Sequence, residues 1–404
     1  MSRPSSWLNR DVAGMCLTSL FADVCYEMVL AVLPGFVAAI GVAAAALGWI
    51  EGGADALASF VKLGAGWYSD RQGRRKPAVS LGYFLSGTAL SVLALAASWP
   101  PILLGRAVAW LGKGIRGPLR DSMLSDAASP QTRGKVFGLH RAADTTGAVL
   151  GPLLGVWLLS VLPHPDRAAP YRVIFLVSLI PGLLAFASML LLVRERLRQP
   201  QPGLQFWGSI RILPGAFRRW LRGVGVFGLG DFSHTLLVLA AARLLAPAHG
   251  NLRAAQIAAL LYGLRNAAYA VAAFPVGALA DRMQKRTLLS AGYAMGAVTG
   301  FGVAALFAAG AARLPLLAAV FVWAGAYVGF EKPLEAAMTA DLVPSGSRGT
   351  AYGVLGSVNG VGDLLGSGMV GMLWTLVSPQ AAFAAAGVLM LAGAALVLLT
   401  AKRS

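Results

Sequence analysis

Twelve long apolar stretches, separated by short polar connections, run through the chain. They extend over about 12–40, 43–68, 77–98, 101–126, 134–162 and 171–193, then 221–246, 253–280, 287–311, 314–340, 348–377 and 380–401. A helix needs about 20 apolar residues to cross the hydrocarbon core of a bilayer, and each stretch meets that length. Pro34, Pro118, Pro152, Pro275 and Pro333 fall inside them. Such prolines are tolerated where neighbouring helices satisfy the freed backbone groups. Between the sixth and seventh stretches lies Arg194–Trp220, with Arg194, Arg196, Arg198, Arg211, Arg218 and Arg219 and the turn former Pro200-Gln201-Pro202-Gly203. It reads as a linker with an interfacial piece at Phe206–Ile212. The pattern predicts an all-α membrane protein in three parts: a six-helix half at 1–193, the linker at 194–220 and a second six-helix half at 221–404.

Composition agrees. The 404 residues are 57% hydrophobic and only 13% charged, where soluble domains carry about 25%; the mean hydropathy is +0.67. The formal net charge of +17 raises the question of a polyanionic partner. Most Lys and Arg sit in alternate connections, however, which is the positive-inside pattern. The charge therefore reports orientation and not nucleic-acid binding. It places both termini and the linker in the cytoplasm and the loop His164–Arg172 outside. Cys16 and Cys25, nine residues apart on one predicted helix, are too distant to bond each other. The polar start of the chain and the long first stretch argue against a cleavable signal peptide.

The two halves repeat each other. Pro118-Leu119 recurs as Pro333-Leu334, Asp126 as Asp341, Arg133-Gly134 as Arg348-Gly349, Gly138 as Gly353, Gly151 as Gly366, Asp23 as Asp231 and Asp70 as Asp281. Internal repeats of this kind are typical of secondary transporters. The connection after the second stretch reads Gly66-x-x-x-Asp70-Arg71-x-Gly73-Arg74-Arg75-Lys76, and a weaker copy reads Gly277-x-x-x-Asp281-Arg282 with Lys285-Arg286. This loop resembles the signature between helices 2 and 3 of the major facilitator superfamily. Arg106-x5-Gly112-x-Gly114 resembles a second pattern of that family, and Gly147 to Gly155 a third, common in its antiporters. Small residues every four positions also let helices pack closely, which explains these two patterns without any directional meaning. The resemblance covers nearly the whole chain. It implies a 6+6 fold in which helices 1, 4, 7 and 10 line a cavity that opens alternately to each side of the bacterial inner membrane. It also implies a gate: Asp70 at the start of the eleventh helix, Arg71 or Arg74 reaching Asp126, with Gly66 at the close contact and Asp281, Arg282 and Asp341 as the counterparts in the second half.

Ionisable residues inside a membrane cost at least about 2.5–3.5 kcal/mol on insertion scales and mark a pathway or a partner. Asp23 and Glu27 lie one turn apart on the first span, and two such carboxylates suit proton coupling. The second span carries Glu51, Asp55 and Lys62, the fourth Lys113, Arg116, Arg120 and Asp121, the fifth His140, Arg141 and Asp144. The second half adds Asp231, His234, Arg265, Glu331, Lys332, Glu335 and Asp363. The candidates for a solute site are Asp23, Glu27, Arg116, Arg120, Asp231, His234, Glu331 and Glu335. Arg116 and Arg120 map onto Glu331 and Glu335 in the repeat, so the four charges either meet across the halves in one state or pair within their own half. Asp23, Cys25, Glu27, His140, Asp144, Asp231 and His234 include metal-ligand types, but no ligand spacing supports a metal site.

These residues point to a secondary transporter of a polar or charged small molecule, coupled to protons, working as an exporter and as a monomer in the lipid bilayer, without a cofactor. A uniporter or importer of a metabolite, metal ion or metal chelate is the alternative on the same fold, and a membrane sensor is a third. No nucleophile–base pair, phosphate loop or metal motif supports an enzyme.

Overall fold

A computed structural model describes residues 7–40, 58, 61–163, 165–310 and 313–399. The described residues form helices joined by short loops. The first is α1 (Arg10–Ala39), followed by the helical residues 61–72 (α2), α3 (Lys76–Thr88), which continues as a 3-10 turn at Ser91–Leu95, and α4 (Trp99–Ala127). Next come α5 (Arg133–Val161), α6 (Ala169–Val177), α7 (Leu179–Leu192), the short α8 (Phe206–Arg211), α9 (Gly215–Gly228) and α10 (His234–His249). The last five are α11 (Asn251–Ala280), α12 (Lys285–Ala308), α13 (Leu314–Leu342), α14 (Arg348–Leu376) and α15 (Pro379–Leu399). Glu51, Asp55, His164, both ends of the chain and most of the second span lie outside the described residues. The stretch Phe206–Ile212 holds the short helix α8, which ends at Arg211.

Helices of 29 or 30 residues, such as α1, α4, α11 and α13, are roughly 44 Å long at 1.5 Å per residue and overreach a 30 Å hydrocarbon core. Their ends therefore carry loop chemistry outside the apolar zone. Among the described residues, eight helical segments are long and apolar enough by composition to cross a membrane. The fourth span fails that test because α4 carries Arg106, Lys113, Arg116, Arg120 and Asp121.

The seventh span departs from expectation. The sequence predicts one helix over 221–246, but the chain leaves the helix after Gly228 and re-enters it at His234. The Asp231 N–H donates to the carbonyls of Phe227 and Gly228, and the Ser233 N–H is taken by Ser367 Oγ at 2.9 Å. Gly228, Gly230 and Asp231 all disfavour a helix interior. Hydropathy does not register such a break, because the residues around it stay apolar.

The helices gather into two compact units. One comprises residues 1–132, 143–212 and 343–357; its apolar core joins α1, the segment after α3, α4 and α6 through Val29, Phe36, Leu90, Ile102 and Phe175, with Phe36 edge-on to Phe175 at 4.9 Å. The other comprises residues 133–142, 213–342 and 358–404, where α12 packs on α13 and α15, α11 packs on α13, and Phe227 stacks on Tyr293 at 3.7 Å. The unit boundaries cut α5 and α14 near their starts, so each unit includes the first turns of a helix that sequence alone assigns to the opposite half.

Candidate functional site

The signature loop forms a latch inside the first unit. Asp70 Oδ1 and Oδ2 accept from the backbone N–H groups of Gly349 (3.2 Å) and Thr350 (2.7 Å), at the N-terminus of α14. A helix N-terminus favours an anion, so the carboxylate and the α14 dipole complement each other. The approach is close: a Cβ at Gly66 would run into the Gly349 carbonyl oxygen. The cation on Asp126, however, is Arg75, and this corrects the expectation of Arg71 or Arg74. Arg75 donates to Asp126 Oδ2 and to Asp70 Oδ1, both at 2.8 Å. Arg71 is exposed, over the Trp67 ring at 5.4 Å, and Arg74 is exposed. The loop turns at Gly73, so the basic residue aimed inward is the one at the foot of α3. Arg348 (2.9 Å) and Arg198 (2.6 Å) also hold Asp126 Oδ1.

The linker completes this latch, which sequence reading did not find. Glu195 accepts from the Arg75 and Lys76 N–H groups at the N-terminus of α3. The Arg198 N–H donates to Gly73 O (3.1 Å) and the Gln201 N–H to Arg71 O (2.9 Å). Trp67 Nε1 donates to Leu204 O at 3.0 Å. No residue-type signal announces these backbone bonds; only the run of arginines after residue 193 hints at an acid nearby.

The weaker copy forms the same device in the second unit. Asp281, just past α11, accepts from the Gly134 N–H (2.7 Å) and the Lys135 N–H (2.9 Å) at the start of α5. A Cβ at Gly277 would run into the Gly134 carbonyl oxygen. Arg133 donates to Asp341 and to Ala340 O, and Lys285 Nζ donates to Asp341 Oδ2 at 2.9 Å. Arg282 is exposed. Partial burial raises the Asp281 carboxyl above its ordinary value, against the two N–H bonds and the charges of Lys285 and Lys135.

The charges within the spans form two further groups, one in each unit. In the first, Arg116 Nη2 lies 3.8 Å from Asp23, and its guanidinium stacks over Tyr83 at 4.3 Å. Arg120 holds Asp121 (3.0 Å), Ser19 Oγ (3.3 Å) and, at 3.8 Å, Asp144. Lys113 sits over the Tyr26 ring at 4.0 Å, and the fully buried Arg106 donates to Tyr26 Oη at 3.1 Å. Glu27 is half-buried one turn after Asp23. In the second unit, Asp231 at the helix break accepts from Tyr327 Oη at 3.0 Å. Glu331 accepts from Lys332 Nζ, and Glu335 accepts from Tyr293 Oη and from Asn359 Nδ2. His234 is exposed and stacks on Tyr262. Arg116, Arg120, Glu331 and Glu335 thus all have partners within their own units. Cys16 and Cys25 are free and buried, and no group of three or more His, Cys, Asp or Glu able to hold a metal occurs among the described residues.

The family profile described as Major Facilitator Superfamily matches residues 15–242 and again 223–404. The chain belongs to the major facilitator superfamily. Members of this superfamily are transporters and not enzymes, and the protein is accordingly an integral, multi-pass membrane protein. Over 391 residues it is 28% identical to the uncharacterized MFS-type transporter MJ1317 of Methanocaldococcus jannaschii, covering 97% of this chain and 95% of that one. Over 206 residues, half of this chain and 36% of the relative, it is 31% identical to the Multidrug resistance protein B homolog of Mycobacterium tuberculosis. Among solved structures it is similar to the MFS transporter FucP in the outward conformation, with a TM-score of 0.75, 15% identity and coverage of 96% and 98%. The superfamily fold accounts for the paired latches, since each half supplies one loop and one helix start. Arg75, Glu195, Arg198, Tyr293, Tyr327 and Asn359 are the contributors that sequence reading left out.

Proposed function

We propose that this superfamily member is a secondary active transporter that moves a polar or charged small molecule across the bacterial inner membrane by alternating access. It works as a monomer, with both termini in the cytoplasm, the halves 1–193 and 221–404 as moving bodies and 194–220 as their linker. The observation that carries the reading is the set of charges on the spans: buried Arg116 and Arg120 with half-buried Asp23 in one unit, and buried Glu331 and Glu335 with half-buried Asp231 in the other. A purely structural bundle has no use for so many membrane charges, each costly to insert. With Glu27 and His234 they are the proposed solute site, and Asp23 and Glu27 the proposed proton carriers. Such a lining suits a hydrated or charged solute better than an apolar one.

Export by proton antiport is the direction proposed. Supporting it are the multidrug-resistance relative, which matches half of this chain, and the Gly147–Gly155 pattern. That pattern also has a packing role, because Gly151 and Gly155 meet the Val24 and Met28 carbonyls of α1. Gly66, Asp70, Arg75, Asp126, Asp281 and Asp341 belong to the proposed cytoplasmic gate. Reconstitution in liposomes with an imposed pH gradient tests the function. Flux of a loaded solute pool against its own gradient, driven by inward protons, is the expected result. Flux of the opposite sign makes the protein an importer, and no gradient-dependent flux rejects the transporter reading. In Asp70→Asn, cysteine labelling from the cytoplasmic side should increase; unchanged labelling rejects the gate.

A further inference from the structure

The two groups of membrane charges differ in balance. In the first unit, Lys62, Arg106, Lys113, Arg116 and Arg120 stand against Asp23, Glu27, Asp121 and Asp144 among the described residues, so the acids there are not in excess. In the second unit, Asp231, Glu331, Glu335 and Asp363 all lie within electrostatic reach of the single ammonium of Lys332. Arg265 is a further cation, acting on Tyr327 and His234 and bonded to Asn266. The four acids around Lys332 therefore outnumber these two cations.

The hydrogen bonds locate where the excess is felt. Both oxygens of Glu335 are satisfied, by Tyr293 Oη and Asn359 Nδ2. Asp231 Oδ1 has Tyr327 Oη. Glu331 has one oxygen on Lys332, while Oε2 is buried without a hydrogen-bond partner among the described residues; the residue is only 2% exposed. A buried carboxylate oxygen without a donor costs about 1–3 kcal/mol or more, so it is retained where something else supplies the donor. Aromatic faces stand close by, with Phe227 near Tyr327 and stacked on Tyr293. The break between α9 and α10 brings irregular backbone to the same place, which in a membrane is tolerated where it lines a cavity or is buried in protein.

We infer that this group of residues binds the cationic nitrogen of an organic solute, an ammonium or guanidinium, with Glu331 Oε2 as the acceptor and Asp231 and Tyr327 beside it. The inference rests on the transporter reading and narrows its solute to one that carries an N–H cation. Nitrogen donors fit the orphan oxygen directly, and a guanidinium can serve two acceptors at once. The aromatic rings add a cation–π surface. A metal ion fits less well, since no set of three ligating side chains is present among the described residues. In the first unit Arg120 is held by Asp121 and Asp144, and Arg116 lies 3.8 Å from Asp23 with Nε and Nη1 buried without a hydrogen-bond partner among the described residues.

The test uses the purified full-length protein and four small probes: butylammonium, methylguanidinium, butanol and butyrate, at matched ionic strength. The two cations should raise the melting temperature saturably, and butanol and butyrate should not. Glu331→Gln should raise the apparent Kd for the cations about tenfold or more. Asp231→Asn should weaken binding less, and Tyr327→Phe least. If Glu331→Gln does not fold, Asp231→Asn decides alone. Absence of a cation-specific shift, or an unchanged cation Kd in these variants, overturns the inference. Gradient-driven flux without cation binding would reject this inference and leave the transporter reading standing. Cation binding without any gradient-driven flux would support this site and reject the transporter reading.

Discussion

The two latches use repeated residues in the same roles, yet they are not equally sealed. In each, an aspartate after a helix end accepts from the first N–H groups of another helix, and a second aspartate is held by Arg or Lys. Around Asp70 the central ions are buried: the Asp70 side chain is fully covered, Arg75 is 4% exposed and Asp126 is 7% exposed. Around Asp281 the counterpart of Asp126, Asp341, is 32% exposed, and an open cleft lined by Lys285, Arg286 and Asp341 lies beside it. The linker makes the difference. Residues 195–204 cover the first loop with backbone bonds and bring Arg198 to Asp126, and the second loop has no such cover among the described residues. The same motif is thus a buried ion network where the chain folds over it and a partly hydrated one where it does not. Burial, more than residue identity, sets what each charge is worth.

The largest expected effect is at Asp126. Asp126→Asn leaves Arg75, Arg198 and Arg348 around a neutral amide and should cost about 3–5 kcal/mol, as removal of one member of a buried ion network does. Asp341→Asn, in the hydrated copy, should cost about 0–1 kcal/mol. Thermal unfolding of the two purified variants measures this difference; equal losses would remove the distinction between the latches.

A smaller loss is expected from the turn itself. Gly73 has φ +68°, and a Cβ there would stand 2.5 Å from the Arg198 carbonyl oxygen. Gly73→Ala should cost about 1–3 kcal/mol and loosen the linker. The matching position of the second loop is Gln284 at φ −65°, an ordinary conformation, so Gln284→Ala should be near neutral. Limited proteolysis near residues 198–203 should speed up in the first variant only.

Next in size is the cover. Glu195→Gln weakens the anion at the start of α3, worth about 0.3–1 kcal/mol for a helix-dipole partner. Amide exchange at Arg75 and Lys76 should rise, while exchange at Gly134 and Lys135 stays unchanged.

The smallest effect concerns pH at Asp281. Its folded carboxyl is raised above the unfolded value, so the folded protein keeps a proton that the unfolded chain has released. Its contribution to stability is therefore present below the unfolded value and is lost as pH rises through the folded one. The melting temperature of wild type minus that of Asp281→Asn should fall as pH rises above the ordinary carboxylate range. A difference that grows instead would mean the two N–H bonds outweigh desolvation.

The amino-acid sequence by itself determined the all-helical class, the signature loop and the repeat that pairs Asp70 with Asp281 and Asp126 with Asp341. Those properties follow from local composition and from spacing, which the linear chain carries in full. The Asp70 contact with the start of α14 was legible through the resemblance of that loop to the family signature. Tertiary structure alone decided that Arg75 and not Arg71 or Arg74 meets Asp126, because several arginines in one loop are alike until the turn at Gly73 aims one of them. It decided that the linker seals one latch and leaves the other wet, since backbone hydrogen bonds depend on path and not on side-chain type. It also decided that the seventh span breaks at Asp231 and that Glu331 keeps one oxygen without a donor. Hydrophobicity reports which residues leave water; the partners they meet depend on contacts between helices far apart in the chain.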